Sequence, residues 1–233
     1  MRRRDEAEGR LSPFSKYPTL VSSRFIANSS WRRSILSGAV SPLWVKHSLE
    51  QAPLVVVRRA EPLDGMIPVG VRGSLRNQRF GAYLAPKSVL RQIAPEQLAA
   101  ARGWLGSVRS REVPALGALA VVAATLPKFS LAYGPTGSVG FELASGRETA
   151  TSTSDLDLLI RAQERISMKV ARELLRSMAQ GPCRIDVQLE TPRGAVSLAE
   201  YARGDRPLLL RKSDGPVLVS DPWGVGSFIG VRT

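Results

Sequence analysis

The chain has 233 residues, of which 43% are hydrophobic and 23% are charged, and its formal net charge is +13. This composition is typical of a globular protein and excludes wholesale disorder, which requires low hydrophobicity. One cysteine, Cys183, excludes an intrachain disulfide, and one cysteine with one histidine excludes a zinc site built from these residue types. Any metal site must therefore rely on carboxylates, which favour hard cations such as Mg²⁺.

The first third of the chain has the composition of a small β-rich unit. Residues 1–23 are basic, rich in Ser and Pro and without periodicity, so they are predicted to form a flexible basic leader. Short β-branched or aromatic runs predict strands over 53–59, 66–72 and 79–84. Residues 24–90 are therefore predicted to form a small β-rich N-terminal domain, within which 24–45 show no clear pattern.

The remainder of the chain alternates helices and strands. Pro95 and Pro114 begin two predicted helices, which run towards Gly106 and to Pro127 respectively. The pattern then predicts a strand over 128–133, a short helix over 141–144, a strand over 155–160, a helix over 167–180, a strand over 184–190, and a closing hairpin of 208–211 with 217–219. This order indicates an α+β or α/β fold.

No segment predicts export or membrane insertion. The basic start of the chain is not followed by an apolar run, as a secretory signal would require. The longest apolar stretch, 113–126, is shorter than the roughly 20 residues that a membrane-spanning helix needs. We therefore expect no membrane partner and a cytoplasmic location, which also suits the unpaired Cys183.

Three aspartates in the predicted strands form the candidate reactive centre. Asp155 and Asp157 are separated by one residue, so a strand projects both side chains from the same face. Two carboxylates so close resist joint ionisation unless a cation lies between them. Asp186 lies in the next apolar strand, after one helix, where it could join them. Three carboxylates on two adjacent strands could hold Mg²⁺, as in metal-assisted transfer of phosphoryl groups.

Gly137 and Ser138 supply a candidate phosphate site. A glycine lets the backbone approach a phosphate closely, and the helix that follows would offer free N–H groups. A Gly-Ser pair alone is usually an ordinary turn, and an Asp-x-Asp pair alone is often a solvated edge. Their combination with Asp186 favours a nucleotidyl-transfer site over a set of structural carboxylates.

Longer segments around these residues resemble a known family. They are residues 133–146 (YGPTGSVGFELASG), 153–158 (TSDLDL) and 186–192 (DVQLETP). These segments resemble the phosphoribosyl-dephospho-CoA transferases that mature malonate decarboxylase, within the nucleotidyltransferase superfamily. The resemblance covers about residues 24–224, and Tyr133 stands where the family leads us to expect Trp. It implies an α+β fold in which 91–233 form a nucleotidyltransferase-like catalytic domain, with a mixed sheet and flanking helices.

The resemblance also implies a reaction. An enzyme of this family transfers the group 2′-(5-triphosphoribosyl)-3′-dephospho-CoA to a serine of the apo acyl carrier subunit of malonate decarboxylase, and releases diphosphate. Asp155 and Asp157 would then bind Mg²⁺ and the triphosphate, while Asp186 would complete the site and accept the hydroxyl proton. Gly137 and Ser138 would hold the diphosphate that leaves.

The basic residues of the N-terminal domain could have several roles. Five arginines lie in or near its predicted strands: Arg58, Arg59, Arg72, Arg76 and Arg79. They could dock an acidic carrier protein, bind phosphates, or form a solvated face. Of these, Arg72 and Arg79 are assigned here to the binding of the phosphorylated substrate.

Two other functions compete with this interpretation. Another nucleotidyltransferase, which moves AMP or CMP to a protein, a small molecule or RNA, would use the same three aspartates. The net charge of +13 also suits a non-catalytic binder of nucleic acid. Carboxylates that face a phosphate argue against such a binder, so nucleic acid is not the expected partner.

Overall fold

The computed structural model of the protein describes residues 20–23, 35–36, 41–224 and 228–229. Two β-sheets organise this part of the chain. The first contains β1 (Leu20–Ser23), β2 (Ile35–Leu36), β3 (Leu54–Val57), β4 (Ile67–Arg72), β5 (Arg79–Leu84) and β6 (Val89–Ile93). Their order across the sheet is β2-β5-β4-β3-β1-β6, and every described pair is antiparallel.

One face of the first sheet is covered by helix α1 (Leu43–Gln51). Val45 and Leu49 of this helix are buried against alternate residues of β4, which are Ile67, Val69 and Val71. Because side chains alternate along a strand, Gly70 and Arg72 project from the opposite face. The first sheet thus has one apolar face and one face that is free to line a site.

The second sheet has seven strands in the order β13-β12-β11-β10-β9-β8-β7. These strands are β7 (Tyr133–Pro135), β8 (Leu156–Arg161), β9 (Ile185–Thr191), β10 (Gly194–Ser197), β11 (Leu208–Lys212), β12 (Gly215–Val219) and β13 (Phe228–Ile229). Among the described pairs, β8 with β9 is parallel and the others are antiparallel. The parallel pair is possible because a helix connects its strands and returns the chain to the same edge.

Helices pack around this second sheet. They are α2 (Pro95–Ala101), α3 (Arg109–Glu112), α4 (Pro114–Thr125), α5 (Gly137–Ser145), α6 (Met168–Met178), which connects β8 to β9, and α7 (Leu198–Arg203), with 3₁₀ turns at Pro86–Ser88 and Leu126–Phe129. Leu119 of α4 and Leu174 of α6 are fully buried in one core with Leu158 of β8. None of the described helices is both long and apolar enough to cross a bilayer.

A smaller apolar cluster joins the two sheets. It contains Leu54 of β3, Ile93 of β6, Leu98 of α2 and Phe141 of α5, all buried. Because these residues come from both parts of the chain, the cluster packs the first sheet against the start of the second unit. The space beside this cluster holds the candidate site.

The predicted α+β class is confirmed, while several elements differ from the expectation. The strand predicted over 128–133 is wrong, because Leu126–Phe129 form a 3₁₀ turn and Ser130 has a left-handed φ of 53°. The helix expected over 141–144 begins earlier, at Gly137.

The predicted domain limits stay predictions. Residues 1–19 of the expected leader lie outside the described residues, and its last four residues form β1. Strand β6, Val89–Ile93, belongs to the first sheet and spans the limit expected between residues 90 and 91.

Candidate active site

The parallel pair β8 and β9 places two of the predicted aspartates side by side. Asp157 lies directly opposite Asp186 in the register of the two strands. Leu156 and Leu158, on either side of Asp157, are buried in the core, so Asp157 projects from the other face. Both aspartates are half-buried, whereas Asp155, just before β8, is exposed. The strand pair therefore presents carboxylates at the edge of an apolar core.

The charges of the three aspartates act on one another. Burial raises the pKa of the Asp157 carboxyl above its usual value, and the charges of Asp186 and Asp155 raise it further. The guanidinium groups of Arg72, on β4, and of Arg76, in the turn that follows β4, oppose this rise. Asp157 is thus the point where the carboxylates of β8 and β9 meet the arginines of the first sheet.

The same carboxylates have the chemistry of a site for a hard cation. Their oxygen atoms are the ligands that Mg²⁺ prefers, and a cation would relieve the repulsion at Asp157. In the described residues, however, no group of three or more Asp, Glu, His or Cys side chains is arranged to hold a metal ion. Asp186 instead accepts a hydrogen bond of 2.8 Å from Nε of Arg184. Binding of Mg²⁺ by Asp155, Asp157 and Asp186 stays a prediction.

Gly137 brings the start of helix α5 against Asp157. Its φ of +59° is in the left-handed region that glycine adopts without strain. A Cβ atom at this position would overlap the Asp157 carboxylate, so the close approach also requires a glycine. The N–H of Thr136 donates to the carbonyl of Asp157 at 2.8 Å and holds the turn against β8. The first N–H groups of α5 therefore lie beside the carboxylates.

Ser138 follows in the first turn of α5 and is half-buried. Its carbonyl accepts a hydrogen bond of 2.8 Å from the Thr149 hydroxyl, which belongs to the loop between α5 and β8. This contact ties the loop to the start of the helix. The structure therefore places Gly137 against Asp157, with Ser138 as the next residue of the helix.

Arg72 and Arg79 face this centre from the first sheet. They are direct cross-strand neighbours on β4 and β5. Burial, and to a smaller extent the charge of Arg79, lower the pKa of the half-buried Arg72 guanidinium to about 10, although the charge of Asp157 opposes this shift. Two crowded guanidinium groups favour a bound anion.

A cavity of about 440 Å³ lies between the two units at this point. Its lining comes from both sheets and from the starts of α2 and α5, and includes Val56, Arg58, Gly70, Arg72, Arg79, Gly81, Pro95, Pro135 and Gly137. Arginines and apolar groups together suit a ligand that is partly anionic and partly apolar.

The five arginines of the first unit that were considered together in the sequence have different surroundings in the structure. Arg59 donates two hydrogen bonds, of 2.8 and 2.7 Å, to the Glu190 carboxylate, which is 1% exposed. Arg76 is exposed in the turn between β4 and β5. Arg58, Arg72 and Arg79 line the cavity. Arg59 is therefore a structural residue, and three of the other four border the candidate site.

One residue that shapes the site was not predicted from the sequence. Glu142 of α5 is buried and accepts hydrogen bonds from Arg109 and from the backbone N–H groups of Thr149 and Ala150. Burial alone would raise the pKa of Glu142, but these hydrogen bonds lower it below the usual value. They anchor the loop that leads to Asp155. The sequence feature that could have indicated a buried carboxylate is the position of Glu142 between Phe141 and Leu143 in a short, mainly apolar helix.

Comparisons with known proteins agree with the motifs. The model for the C-terminal domain of phosphoribosyl-dephospho-CoA transferase MdcG matches residues 94–222, and that for its N-terminal domain matches residues 23–95. The resemblance drawn from the sequence motifs is therefore confirmed.

Curated relatives named phosphoribosyl-dephospho-CoA transferase match over most of the chain. The protein from Pseudomonas putida is 46% identical over 187 residues, which covers 79% of this chain and 87% of the relative. The proteins from Azotobacter vinelandii and Klebsiella pneumoniae (strain 342) are each 40% identical, and the matches cover 79% of this chain and 87% and 88% of the relatives. No solved structure gives a significant match.

Proposed function

Because the chain belongs to the phosphoribosyl-dephospho-CoA transferase family, we propose that it transfers the phosphoribosyl-dephospho-CoA group of 2′-(5-triphosphoribosyl)-3′-dephospho-CoA to an acyl carrier protein. The acceptor is a serine of the apo carrier subunit of malonate decarboxylase, and diphosphate is released. The observation that carries this proposal is that Gly137 and Arg72 line one cavity, while Asp157 lies against Gly137 and within electrostatic reach of Arg72. The arginines and helix N–H groups proposed to bind phosphate thus lie beside carboxylates that can accept a proton.

The transfer breaks one bond and forms another. The serine oxygen attacks the phosphorus atom that is attached to the ribosyl group, and forms the new P–O bond. The bond from this phosphorus to the next phosphate breaks, and diphosphate leaves with the electron pair. The serine proton passes to a carboxylate, for which Asp186 is our candidate because it projects beside Asp157.

The protein's own residues orient the phosphates. Arg72 and Arg79 bind the triphosphate from the first sheet, and the N–H groups at the start of α5 with the Ser138 hydroxyl bind the diphosphate that leaves. Mg²⁺, held by Asp155, Asp157 and Asp186, would neutralise charge on the triphosphate. Such positioning and charge neutralisation supply most of the catalysis in phosphoryl transfer.

Mass spectrometry of the carrier protein tests this function. Incubation with the triphosphoribosyl donor and the apo carrier should add the mass of the phosphoribosyl-dephospho-CoA group to the carrier. The variant Asp157→Asn should slow this reaction by about 10²- to 10³-fold, because it would weaken binding of the Mg²⁺ that neutralises charge in the transition state. Asp205→Asn is the control, because Asp205 is exposed and pairs with Arg203 away from the cavity.

The same assay separates the competing activity. Transfer of AMP or CMP from ATP or CTP, without transfer from the triphosphoribosyl donor, would identify another kind of nucleotidyltransferase. Full activity of Asp157→Asn would remove the proposed role of this carboxylate.

A further inference from the structure

The face of the first sheet that borders the cavity carries two successive cross-strand pairs. Gly70 pairs with Gly81, and two residues further along the same strands Arg72 pairs with Arg79. Residues two apart on a strand share a face and are separated by about 7 Å. The pair of arginines at the candidate triphosphate site therefore has a pair of glycines as its neighbour on the same surface.

The side chain of Arg58 lies across these two glycines. A Cβ atom on Gly70 would be 3.6 Å from both Cγ and Cδ of Arg58, and a Cβ atom on Gly81 would overlap Nη1 of Arg58. Neither glycine is among those with a positive φ. The backbone therefore does not require glycine at either position, and what their missing side chains provide is space for the Arg58 guanidinium in the cavity.

The Arg58 guanidinium is free to bind a ligand. Among the described residues it forms no hydrogen bond or ion pair, whereas the next residue, Arg59, is bonded to Glu190. A guanidinium has five N–H donors, and their planar arrangement matches two phosphate oxygens at once. Arg58 is thus a third cationic group of the cavity, placed beyond the pair of Arg72 and Arg79.

The chemistry of the proposed donor calls for such a second site. An ordinary nucleoside triphosphate carries one chain of phosphates. The donor carries two, a triphosphate on its added ribosyl group and a diphosphate that joins its adenosine to the pantetheine arm. The apolar side chains of Val56, Pro95 and Pro135 in the same lining could cover the adenosine between them.

We propose that Arg58, seated over Gly70 and Gly81, binds the diphosphate of the dephospho-CoA portion and so selects this donor over ordinary nucleoside triphosphates. This proposal rests on the proposed function, because it takes the donor from there. It assigns a different part of the donor to a different part of the cavity.

Equilibrium binding of two partial ligands tests this assignment. Dephospho-CoA contains the adenosine and the diphosphate but lacks the triphosphate, and inorganic tripolyphosphate contains only the triphosphate. Isothermal titration of the full chain should show that Arg58→Met weakens dephospho-CoA binding by about tenfold or more, the usual effect of losing charge-assisted hydrogen bonds. Tripolyphosphate affinity should change by less than about twofold.

A second variant displaces the same guanidinium without removing it. Gly81→Ala puts a methyl group where Nη1 of Arg58 lies. It should therefore also weaken the binding of dephospho-CoA and leave the binding of tripolyphosphate nearly unchanged. Gly103→Ala is its control, since a Cβ there meets only Cδ2 of Leu143, at an ordinary 3.8 Å. Arg91→Met, on β6 and exposed, is the control for loss of one positive charge.

The proposal is overturned if Arg58→Met leaves dephospho-CoA affinity unchanged, or if the unaltered protein does not bind dephospho-CoA. It is also overturned if Arg58→Met lowers the affinities for dephospho-CoA and tripolyphosphate equally, because Arg58 would then belong to the triphosphate site. These measurements need no carrier protein and no transfer. Failure of the proposed function appears instead as an unmodified carrier, so the two failures can be told apart.

Discussion

Arg59 and Glu190 form an ion pair with two hydrogen bonds that joins the two units of the protein. Arg59 follows strand β3 and is the neighbour of Arg58, and Glu190 lies on β9, four residues after Asp186. The pair therefore ties the chain that follows β3, next to Arg58, to the strand that carries the candidate catalytic carboxylate of Asp186. The pair matters for the stability of the fold because Glu190 is buried, with only 1% of its surface exposed.

Removal of Arg59 should destabilise the protein strongly. Arg59→Met leaves the Glu190 carboxylate buried without its partner, and breaking a buried pair in this way costs about 3–5 kcal/mol. Denaturant unfolding measures this loss. Arg203→Met is the control, since the exposed pair of Arg203 with Asp205 is worth about 0–1 kcal/mol. The double variant Arg59→Met, Glu190→Met should recover part of the stability, and equal losses for Arg59→Met and Arg203→Met would contradict this account.

Gly137 should be needed for more than its backbone conformation. Gly137→Ala and Gly146→Ala both place alanine at a positive φ, of 59° and 72° respectively, which costs about 1–2 kcal/mol. At Gly146 a Cβ atom meets nothing within 4 Å, whereas at Gly137 it overlaps the Asp157 carboxylate. We expect Gly137→Ala to lose at least as much stability as Gly146→Ala, and a fall in transfer rate of about 100-fold or more for Gly137→Ala alone. Equal activity of the two variants would show that Asp157 can move without cost.

Glu142 should make the protein sensitive to acid. The pKa of Glu142 is lower in the folded state than its unfolded value of about 4.3. Its ionised form therefore stabilises the fold above that value, and this contribution is lost as the pH falls through the lower, folded pKa. Glu142→Gln should reduce the free energy of unfolding at pH 7 by about 1.5–3 kcal/mol and flatten its decline at acid pH.

The control for this experiment is Glu148→Gln. Glu148 approaches the same Arg109 at 3.5 Å, but its side chain is 73% exposed. Its removal should change the unfolding free energy and its pH dependence little. If the free energy of unfolding of Glu142→Gln still falls at acid pH as steeply as that of the unaltered protein, other carboxylates cause the acid sensitivity.

Arg72 should affect the donor and not the carrier. The half-buried guanidinium lies within electrostatic reach of Asp157 and lines the cavity. Arg72→Met should raise the KM for the triphosphoribosyl donor by about tenfold and leave the KM for the carrier protein nearly unchanged. A rise confined to the carrier would show instead that these arginines form the docking face for an acidic partner.

The elements that carry local patterns were predictable from the sequence. Strand β5 lies where the run with Phe80 and Tyr83 predicted a strand, and α6 follows the spacing of Leu174 and Met178. Strands β8 and β9 contain apolar alternation interrupted by aspartates, which located Asp157 and Asp186. In these segments, local periodicity and tertiary burial favour the same structure.

Elements whose stability comes from distant contacts were not predictable. Helix α1 has only two buried positions, Val45 and Leu49, and its apolar face is defined by the sheet beneath it. Strand β10 has four residues and pairs with β9 and β11, which no local pattern indicates. The role of Arg59 depends on Glu190, 131 residues away, so it looked like another surface arginine.

The parallel register of β8 and β9 makes the reactive centre sensitive to changes in chain length. Asp157 and Asp186 face one another because Leu156 aligns with Ile185 at the start of the pair. Deleting a single residue between α6 and Asp186 while keeping the strands paired would turn Asp186 towards the apolar core and place Val187 opposite Asp157. Natural insertions and deletions in this family should therefore be rare in that connection and more frequent in the turns of the outer hairpins.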